Sequence, residues 1–257
     1  MGIFMGNTGD EQQRGTSFGS NAAGYAEHRP DYPREAIEWA LEPVAGRSGL
    51  TVVDLGAGTG QLTKGLRAAG ITVIAVEPDA RMRDELVRNH DGVEAHLGSA
   101  EHIPLPDASV DAVLAGNAFH WFDQERAFPE IARVLRPGGV VAALWNDDDT
   151  RVDWIAGLVR IFGWDSTTSP TDRLRQHPLF TELAHTDFRH GQRCTTDSMV
   201  ARMATLSPVL ALPQERRDDL LDRIRRHLNE HPDTEKGEFD LPIRTTVTRA
   251  ELRGSGD

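Results

Sequence analysis

Short apolar runs alternate with longer amphipathic stretches between Leu50 and Asn146. This alternation is typical of β-α-β units, in which helices cover both faces of a parallel sheet. The apolar runs predict strands at Leu50–Leu55, Ile71–Glu77, Val93–Leu97, Val110–Ala115 and Gly139–Trp145. The amphipathic stretches predict helices at Arg34–Leu41, Gln61–Ala69, Ala80–Asn89 and Gln124–Leu135. We therefore expect a doubly wound α/β protein.

The alternation weakens after Trp145. Later segments predict, in order, a helix, a loop, a β-like stretch, a charged helix and a second β-like stretch: Val152–Phe162, Thr167–Asp172, Leu183–Thr195, Pro213–Leu228 and Phe239–Thr248. Pro242 lacks an N–H group, so it predicts an edge position or a bulge in the last stretch. We expect both β-like stretches to join the same sheet, with helices of residues 197–230 inserted between them as a lid or wall on the substrate side.

These patterns divide the chain into three parts. Residues 1–17 are rich in Gly, Asn and Gln and lack an apolar segment, so we expect a disordered leader rather than a secretory signal. Residues 18–146 are expected to form an α/β core that binds a cofactor. Residues 147–257 are expected to supply the late strands of the same sheet and a helical insert on the substrate side.

Composition narrows the class of protein. The length of 257 residues suits one large domain, or one domain with an appended subdomain, and the single cysteine, Cys194, excludes a disulfide framework. The net charge of −12 disfavours duplex nucleic acid and anionic membrane surfaces as main partners, because both require positive counter-charge. We expect a cytoplasmic monomer or homodimer that acts on a small molecule.

A glycine-rich turn follows the first predicted strand. Its pattern, Gly56-x-Gly58-x-Gly60, differs from the dinucleotide fingerprint because Gln61 stands where that fingerprint requires glycine. Glu77 ends the second predicted strand, and an acidic residue at about this distance binds ribose hydroxyls in nucleotide-binding units. Asp54 precedes the glycines and disfavours a pyrophosphate there, so a cationic or zwitterionic ligand suits the turn better.

The segment from Val52 to Gln61 resembles motif I of class I S-adenosylmethionine-dependent methyltransferases, and Val76-Glu77-Pro78-Asp79 resembles the acidic motif that follows it. Three later segments resemble the adenine-side loop, the fourth motif and the helix-to-strand turn of the type 11 branch: Leu97–Pro106, Val110–Trp121 and Arg133–Gly139. Tyr25–Pro33 resembles the trans-aconitate-methyltransferase-like subgroup. The resemblance implies a Rossmann-like methyltransferase fold with a seven-stranded, mostly parallel sheet.

The resemblance also implies that S-adenosylmethionine is the cofactor and S-adenosylhomocysteine the product. Glu77 would hold both ribose hydroxyls, Asn117 would offer a carbonyl to the cofactor amine, and Arg29 would pair with the cofactor carboxylate. The other implied cofactor contacts are Tyr25, Asp54, Gly56, Ala57, Gly58, Gly60, Gln61, Pro78, Met82, Ser99, Ala100 and Glu101.

The adenine end of this implied site departs from the family pattern at one position. Pro78 and Met82 would pack on the adenine, and the backbone amide of Ala100 would contact its ring. The family often has Asp where this chain has Ser99. The acceptor for the adenine amine is therefore expected to be either Ser99 or Glu101.

Methyl transfer requires in-line alignment of the acceptor and exclusion of water. His120 follows the fourth predicted strand at the edge where ligands bind, so it is the candidate general base for an acceptor that carries a proton. The alternative is that His120 packs beside Trp121 and only shapes the pocket. Tyr25, Tyr32, Trp121 and Trp145 are candidate walls of the substrate pocket, with a core or surface-packing role as the alternative for Tyr25 and both tryptophans.

Three other clusters are interpreted as structural, and no metal site is expected. His227 and His231 have the spacing of a metal pair on a helix, but Pro232 follows directly, so capping or solvent exposure is the preferred interpretation. The arginines and aspartates of residues 216–226 predict a solvated helix face with i,i+4 ion pairs. Asp147–Asp149 are interpreted as a helix start rather than a cation site.

Two alternatives to a methyltransferase stay open at this point. A nicotinamide-dependent oxidoreductase would use a similar sheet, although Gln61 and Asp54 speak against it. A relative of the same fold could also keep the cofactor without transferring a methyl group, as a regulatory module or as the catalyst of a rearrangement.

Overall fold

Seven strands form a single sheet in the order β3-β2-β1-β4-β5-β7-β6 in a computed structural model, which describes residues 30–163 and 174–254. The strands are β1 (Thr51–Leu55), β2 (Thr72–Glu77), β3 (Glu94–Leu97), β4 (Val110–Gly116), β5 (Leu135–Asp148), β6 (Ala184–Thr195) and β7 (Glu238–Glu251). Strands β1 to β5 pair in parallel, whereas β7 runs antiparallel to both β5 and β6. The predicted seven-stranded, mostly parallel α/β fold is confirmed.

The helices connect and cover these strands. They are α1 (Arg34–Leu41), α2 (Gln61–Ala68), α3 (Ala80–Asn89), α4 (Gln124–Val134), α5 (Asp153–Phe162), α6 (Thr196–Ala204), α7 (Ser207–Leu210) and α8 (Gln214–Glu230). The predicted helices and strands of the core agree with these bounds to within one residue, except that β5 begins at Leu135 instead of Gly139 and extends to Asp148 instead of Trp145. Within the described ranges, no helix combines the length and apolarity that crossing a membrane requires. The predicted leader, residues 1–17, and the predicted loop Thr167–Asp172 lie outside the described residues.

The described residues form four apolar clusters, of which the smallest is Ala57, Ala75 and Leu86 beside the glycine turn. Two of them contain side chains from the sheet and from the helices that flank it, with Phe119 and Trp145 in one and Ile37 and Leu144 in the other. Another joins α5, α6 and α8 to the ends of β6 and β7, through side chains such as Trp154, Met199, Ile224, Leu228 and Phe239. Helices α6 to α8 therefore form the expected insert between two strands of the same sheet.

The prediction that Pro242 marks a sheet edge or a bulge is wrong. Strand β7 lies between β5 and β6, and its pairing with β6 runs through Gly191↔Pro242 without a shift. Pairing with β5 ends at Asp148↔Ile243, and the Pro242 carbonyl then accepts from the Asp149 N–H at 3.0 Å. In a strand, the N–H and C=O groups of one residue face the same neighbouring strand. The Pro242 carbonyl faces the β5 side, so the absent N–H of Pro242 falls just beyond the end of β5, where no strand acceptor needs it.

The interpretation of Asp147–Asp149 as a helix start is also wrong. Strand β5 continues to Asp148, and the N-cap of α5 is Val152. The Asp148 carboxylate accepts two hydrogen bonds, at 2.7 and 3.0 Å, from the guanidinium of Arg202 on α6, which is only 7% exposed. This buried ion pair fastens the helical insert to the end of β5, and loss of one partner would leave the other charge buried alone.

The two spaced histidines lie at the end of α8, where His231 is the C-cap residue as the capping interpretation predicts, and both rings contact α5. The Nε2 of His227 lies 2.8 Å from the Trp154 carbonyl oxygen, and the Nε2 of His231 lies 3.3 Å from Asp153 Oδ2. Both partners belong to the first turn of α5, so these rings connect the two helices rather than face solvent. On α8 itself, Arg223 makes an i,i+4 pair with Asp219 at 4.0 Å. No cluster of three or more candidate metal ligands occurs in the described ranges.

Arg133 on α4 fixes the loop that follows β3. Its guanidinium donates to the carbonyls of Ile103 and Leu105 at 2.9 and 2.8 Å and to the carboxylates of Asp107 and Glu130, each at 2.8 Å. Glu130 also accepts from the Ile103 N–H at 3.0 Å, and the Arg133 hydrogen bonds hold the pKa of Glu130 at about 2. The planar fork of an arginine is therefore the element that shapes this loop.

We predict that Arg133→Lys lowers the free energy of unfolding by about 1–3 kcal/mol, because a lysine cannot satisfy four acceptors from one planar fork. Urea unfolding measures the change, and Arg126→Lys, at an exposed position of the same helix, serves as the control. Equal stability of the two variants would contradict the role given to Arg133.

Candidate active site

The glycine turn after β1 lies at the sheet edge where the parallel strands β1, β2 and β4 end. Gly56 has φ +67° and Gly58 has φ +57°, in the left-handed region that favours glycine. A Cβ on Gly56 would lie 2.8 Å from the Cβ of Ala118 and 3.3 Å from the ring of Phe122, so only glycine lets this turn approach the turn after β4. A Cβ on Gly58 would meet nothing closer than the sulfur of Met82 at 4.0 Å. The turn is therefore closed on one side and open on the other.

Glu77 faces this turn from the tip of β2. It is 5% exposed; its Oε2 accepts from the Gly58 N–H at 2.8 Å, and its Oε1 accepts from the Asp79 N–H at 2.9 Å. Burial raises the pKa of Glu77 to about 7, and the two amide hydrogen bonds only partly oppose this shift. The carboxylate thus points into the protein beside the open glycine, not out into solvent.

Asp54, at the end of β1, is 1% exposed. Its Oδ2 accepts from the Thr63 hydroxyl of α2 at 2.6 Å, whereas its Oδ1 is buried without a hydrogen-bond partner among the described residues. Burial raises the pKa of Asp54 to about 6, with the Thr63 hydrogen bond opposing. The site therefore holds a second buried carboxylate, which also raises the pKa of Glu77.

The start of α3 borders the open side of the glycine turn. Asp79 caps the helix, since its carboxylate accepts from the Arg81 and Met82 amides at 2.8 and 3.1 Å. Met82 is 6% exposed and lies against Gly58, whereas Pro78 is exposed. Of the predicted adenine contacts, Met82 therefore lies on the open side of Gly58, and Pro78 directly follows Glu77 in the sequence.

The loop after β3 turns tightly at Ser99. The backbones of Ser99 and His102 bond to each other in both directions, at 3.3 and 3.2 Å, and Ala100 between them is 3% exposed. The Oε1 of Glu101 accepts from the Asp123 N–H at the start of α4, at 2.9 Å. This carboxylate therefore has a structural partner, and the choice between Ser99 and Glu101 as the adenine acceptor stays a prediction.

The turn after β4 carries Asn117 and His120. Asn117 has φ +51°, its N–H donates to the Leu144 carbonyl at 2.8 Å, and its Oδ1 accepts from the Asn146 N–H at 3.0 Å. His120 lies on a 3-10 turn, Phe119–Trp121, and is exposed, with its ring centroid 4.7 Å from that of Trp121. The candidate base is therefore accessible at the same edge as the glycine turn.

The remaining predicted residues differ in burial. Tyr32 is 7% exposed and covers Gly116, where a Cβ would lie 2.6 Å from the tyrosine hydroxyl oxygen. Trp145 is 1% exposed and packs within the core, so in this conformation it does not border open space. Ala57 and Gly60 belong to the glycine turn, and α2 begins at Gln61. Tyr25 and Arg29 lie outside the described residues.

Sequence reasoning missed two residues at this edge. Phe122 contacts Gly56 from the far side of the turn after β4, and Asn146 of β5 holds the side chain of Asn117. The position of Phe122 just after the fourth motif is a usable signal. The role of Asn146 depends on strand pairing and has no local signal.

The sheet order and the glycine turn beside a buried acidic strand tip define a Rossmann-like enzyme that binds a nucleoside-containing cofactor. The comparisons make the assignment more specific. Residues 53–143 match the model of a methyltransferase domain family. An uncharacterized methyltransferase of Mycobacterium tuberculosis is 41% identical over 92% of this chain and 96% of its own length. The chain therefore belongs to the methyltransferase family.

Two further comparisons agree with this assignment. A malonyl-[acyl-carrier protein] O-methyltransferase of Pectobacterium atrosepticum is 30% identical, with 84% of this chain and 86% of the relative covered. The solved structure of a candidate type II methyltransferase from Anaeromyxobacter dehalogenans is 28% identical and covers 88% of this chain and 97% of its own, with a TM-score of 0.63.

We predict that Glu77→Gln changes how stability depends on pH. Since the pKa of Glu77 is raised from 4.5 to about 7 on folding, its contribution to stability is fully present below pH 4.5 and is lost as the pH rises through 7. Glutamine does not titrate, so the variant does not lose this stability as the pH rises. Its free energy of unfolding relative to wild type therefore rises by up to about 3 kcal/mol across this interval. Denaturant unfolding from pH 4.5 to pH 8 measures the change.

The exposed Glu125→Gln is the matched control for this series. A difference between Glu77→Gln and wild type that stays constant with pH would show that Glu77 does not titrate as a buried acid.

Proposed function

We propose that this chain transfers a methyl group from S-adenosylmethionine to a small-molecule acceptor, and that it belongs to the trans-aconitate-methyltransferase-like subgroup of the type 11 branch. The observation that carries the proposal is the carboxylate of Glu77, buried at the tip of β2 beside the open, left-handed Gly58. This arrangement offers two acceptor oxygens next to a backbone that a ligand can approach closely.

The described residues fit this cofactor. A carboxylate only accepts hydrogen bonds and has about four lone-pair positions, so Glu77 can accept from two ribose hydroxyls in addition to the amides of Gly58 and Asp79. Burial raises the pKa of Glu77 to about 7, and hydrogen bonds from the hydroxyls would stabilise its charged form. The space at Gly58 extends to the sulfur of Met82, where the adenine is expected to pack. Two buried carboxylates, Asp54 and Glu77, favour a ligand that carries positive charge.

S-adenosylmethionine supplies a methyl group on a positively charged sulfur, which makes the methyl reactive without a metal or a covalent intermediate on the protein. The work of the chain is then placement and exclusion of water. Gly56 lets the cofactor turn contact the turn after β4 at Ala118, and Asn117 is held there by the Leu144 and Asn146 backbones. These contacts would bring the methyl donor close to an acceptor held beside His120.

A small acceptor is supported by several observations. The net charge of −12 disfavours nucleic acid. A relative of similar length is named for O-methylation of a malonyl group on an acyl-carrier protein. His120 and Trp121 present an exposed imidazole and a flat apolar ring at the site edge, and residues 147–257, with the helical insert, would supply the rest of the acceptor pocket. A cytoplasmic location and a monomeric or homodimeric state stay predictions.

We predict that Glu77→Ala raises the dissociation constant for S-adenosylhomocysteine about 10- to 100-fold, because hydrogen bonds to a charged acceptor are worth about 1.5–3 kcal/mol. Titration calorimetry measures the change, with Glu125→Ala as an exposed control. Unchanged affinity would remove Glu77 from the ribose site. Wild-type protein that binds NADH and ignores S-adenosylhomocysteine would overturn the proposed function.

We predict that His120→Gln lowers kcat about 100-fold or more for acceptors that must lose a proton, and leaves carboxylate acceptors unaffected. The affinity for S-adenosylhomocysteine stays the same, because His120 would act on the acceptor. A metabolite panel with labelled donor identifies the substrate first, and His185→Gln on the exposed face of β6 is the control. Full activity of His120→Gln on proton-bearing acceptors would assign His120 to packing beside Trp121.

A further inference from the structure

A line of side-chain hydrogen bonds crosses the last three strands beside the candidate site. The Nε2 of His190 on β6 lies 2.8 Å from Thr245 Oγ1 on β7, which lies 2.6 Å from Asn146 Oδ1 on β5. The Nδ2 of Asn146 lies 3.2 Å from the carbonyl oxygens of both Pro30 and Asp31. The line therefore joins β6, β7 and β5 to the segment that precedes α1.

The partners determine which atom donates at each step. Backbone carbonyls only accept, so the Asn146 amide presents its nitrogen to Pro30 and Asp31 and its oxygen to Thr245. The single hydroxyl proton of Thr245 is then donated to Asn146, and the Thr245 oxygen accepts from His190 Nε2–H. Every donor in the line points toward the segment before α1, so removing one donor affects the groups beyond it.

Asn146 connects this line to the candidate cofactor site. Its backbone N–H donates to the Oδ1 of Asn117 at 3.0 Å, while its side chain holds the carbonyls of Pro30 and Asp31. Asn117 has left-handed backbone geometry, which asparagine tolerates better than most non-glycine residues. One residue thus fixes both the turn after β4 and the chain that lies across it.

We call residues 30–32 the latch segment. Tyr32 of this segment is 7% exposed and covers Gly116 at the end of β4. An ion pair of Asp31 with Lys64 at 2.7 Å also ties the segment to α2, and both partners are more than half exposed. Exposed pairs of this kind contribute little. The Asn146 amide and the buried side chain of Tyr32 therefore contribute to holding the segment on the sheet edge.

We infer that Asn146 is a positioning residue: its amide latches residues 30–32 across the ends of β4 and β5 and orients Asn117, and it thereby sets the affinity for the cofactor. The second half of this inference rests on the proposed function. The placement of the latch segment does not.

Two variants break the line at different bonds. Asn146→Asp replaces the amide nitrogen, the donor to the latch carbonyls, by an oxygen that repels them. Thr245→Val removes the hydroxyl that orients the amide, at a position that is fully buried, and keeps the shape of the side chain. Thr245→Ser retains the hydroxyl and should rescue. Thr246→Val is the matched control, because Thr246 is as buried but bonds to Asp187 at 2.6 Å instead.

Fluorine NMR reads out the latch without any ligand. The chain has two tyrosines, so 3-fluorotyrosine labelling gives two resonances, and Tyr32→Phe assigns one of them. We expect Asn146→Asp and Thr245→Val to move the Tyr32 resonance toward that of free fluorotyrosine, while Thr245→Ser and Thr246→Val leave it in place. Calorimetry with S-adenosylhomocysteine should then show affinity reduced about tenfold in the first two variants only.

A Tyr32 resonance that stays in place in folded Asn146→Asp and Thr245→Val overturns the latch. A resonance that moves while the affinity is unchanged overturns the positioning role toward the cofactor. If wild-type protein does not bind S-adenosylhomocysteine, the proposed function fails, and the fluorine spectra still decide whether Asn146 holds the segment.

Discussion

The buried carboxylate of Glu77 organises the edge of the sheet at which the candidate active site lies. Glu77 leaves water at the tip of β2 because its two oxygens accept the amides of Gly58 and Asp79. One amide belongs to the glycine turn after β1 and the other to the cap of α3, so a single side chain aligns both. The desolvation that raises its pKa to about 7 is tolerated where a bound ligand is expected to supply further donors.

Much of the core could be predicted because its signals are local. Between Leu50 and Asn146 each apolar run is a strand and each amphipathic stretch is a helix, so the spacing of apolar residues and the positions of Gly and Pro are enough to locate them. The placement of Glu77 beside the glycine turn follows from neighbouring parallel strands, whose carboxyl ends share an edge. The burial of both carboxylates at this edge, in contrast, required the packing of α2 and α3 against it.

The features that sequence reasoning missed depend on distant partners. Pro242 is tolerated inside the sheet because β5 ends beside it, which no window around the proline reveals. Asp148 pairs with an arginine 54 residues away, and the Asn146 side chain binds groups 99 and 115 residues away. The local sequence pattern predicts a helix start at Asp148 and the end of a strand near Asn146. The antiparallel return of β7 brings Thr245 beside Asn146, whereas Arg202 reaches Asp148 from the helical insert and Asp31 reaches Asn146 from the segment before α1.

The contact of Gly56 with Ala118 has a consequence for how this architecture diversifies. The turns after β1 and β4 lie so close together at this point that there is no room for one additional carbon on Gly56. A larger residue at Gly56 would push the two turns apart. The insert between β6 and β7 has an apolar cluster of its own, so its side chains can change without disturbing the contact between the turns. The fold thus joins a sterically constrained sheet edge to an independently packed helical module.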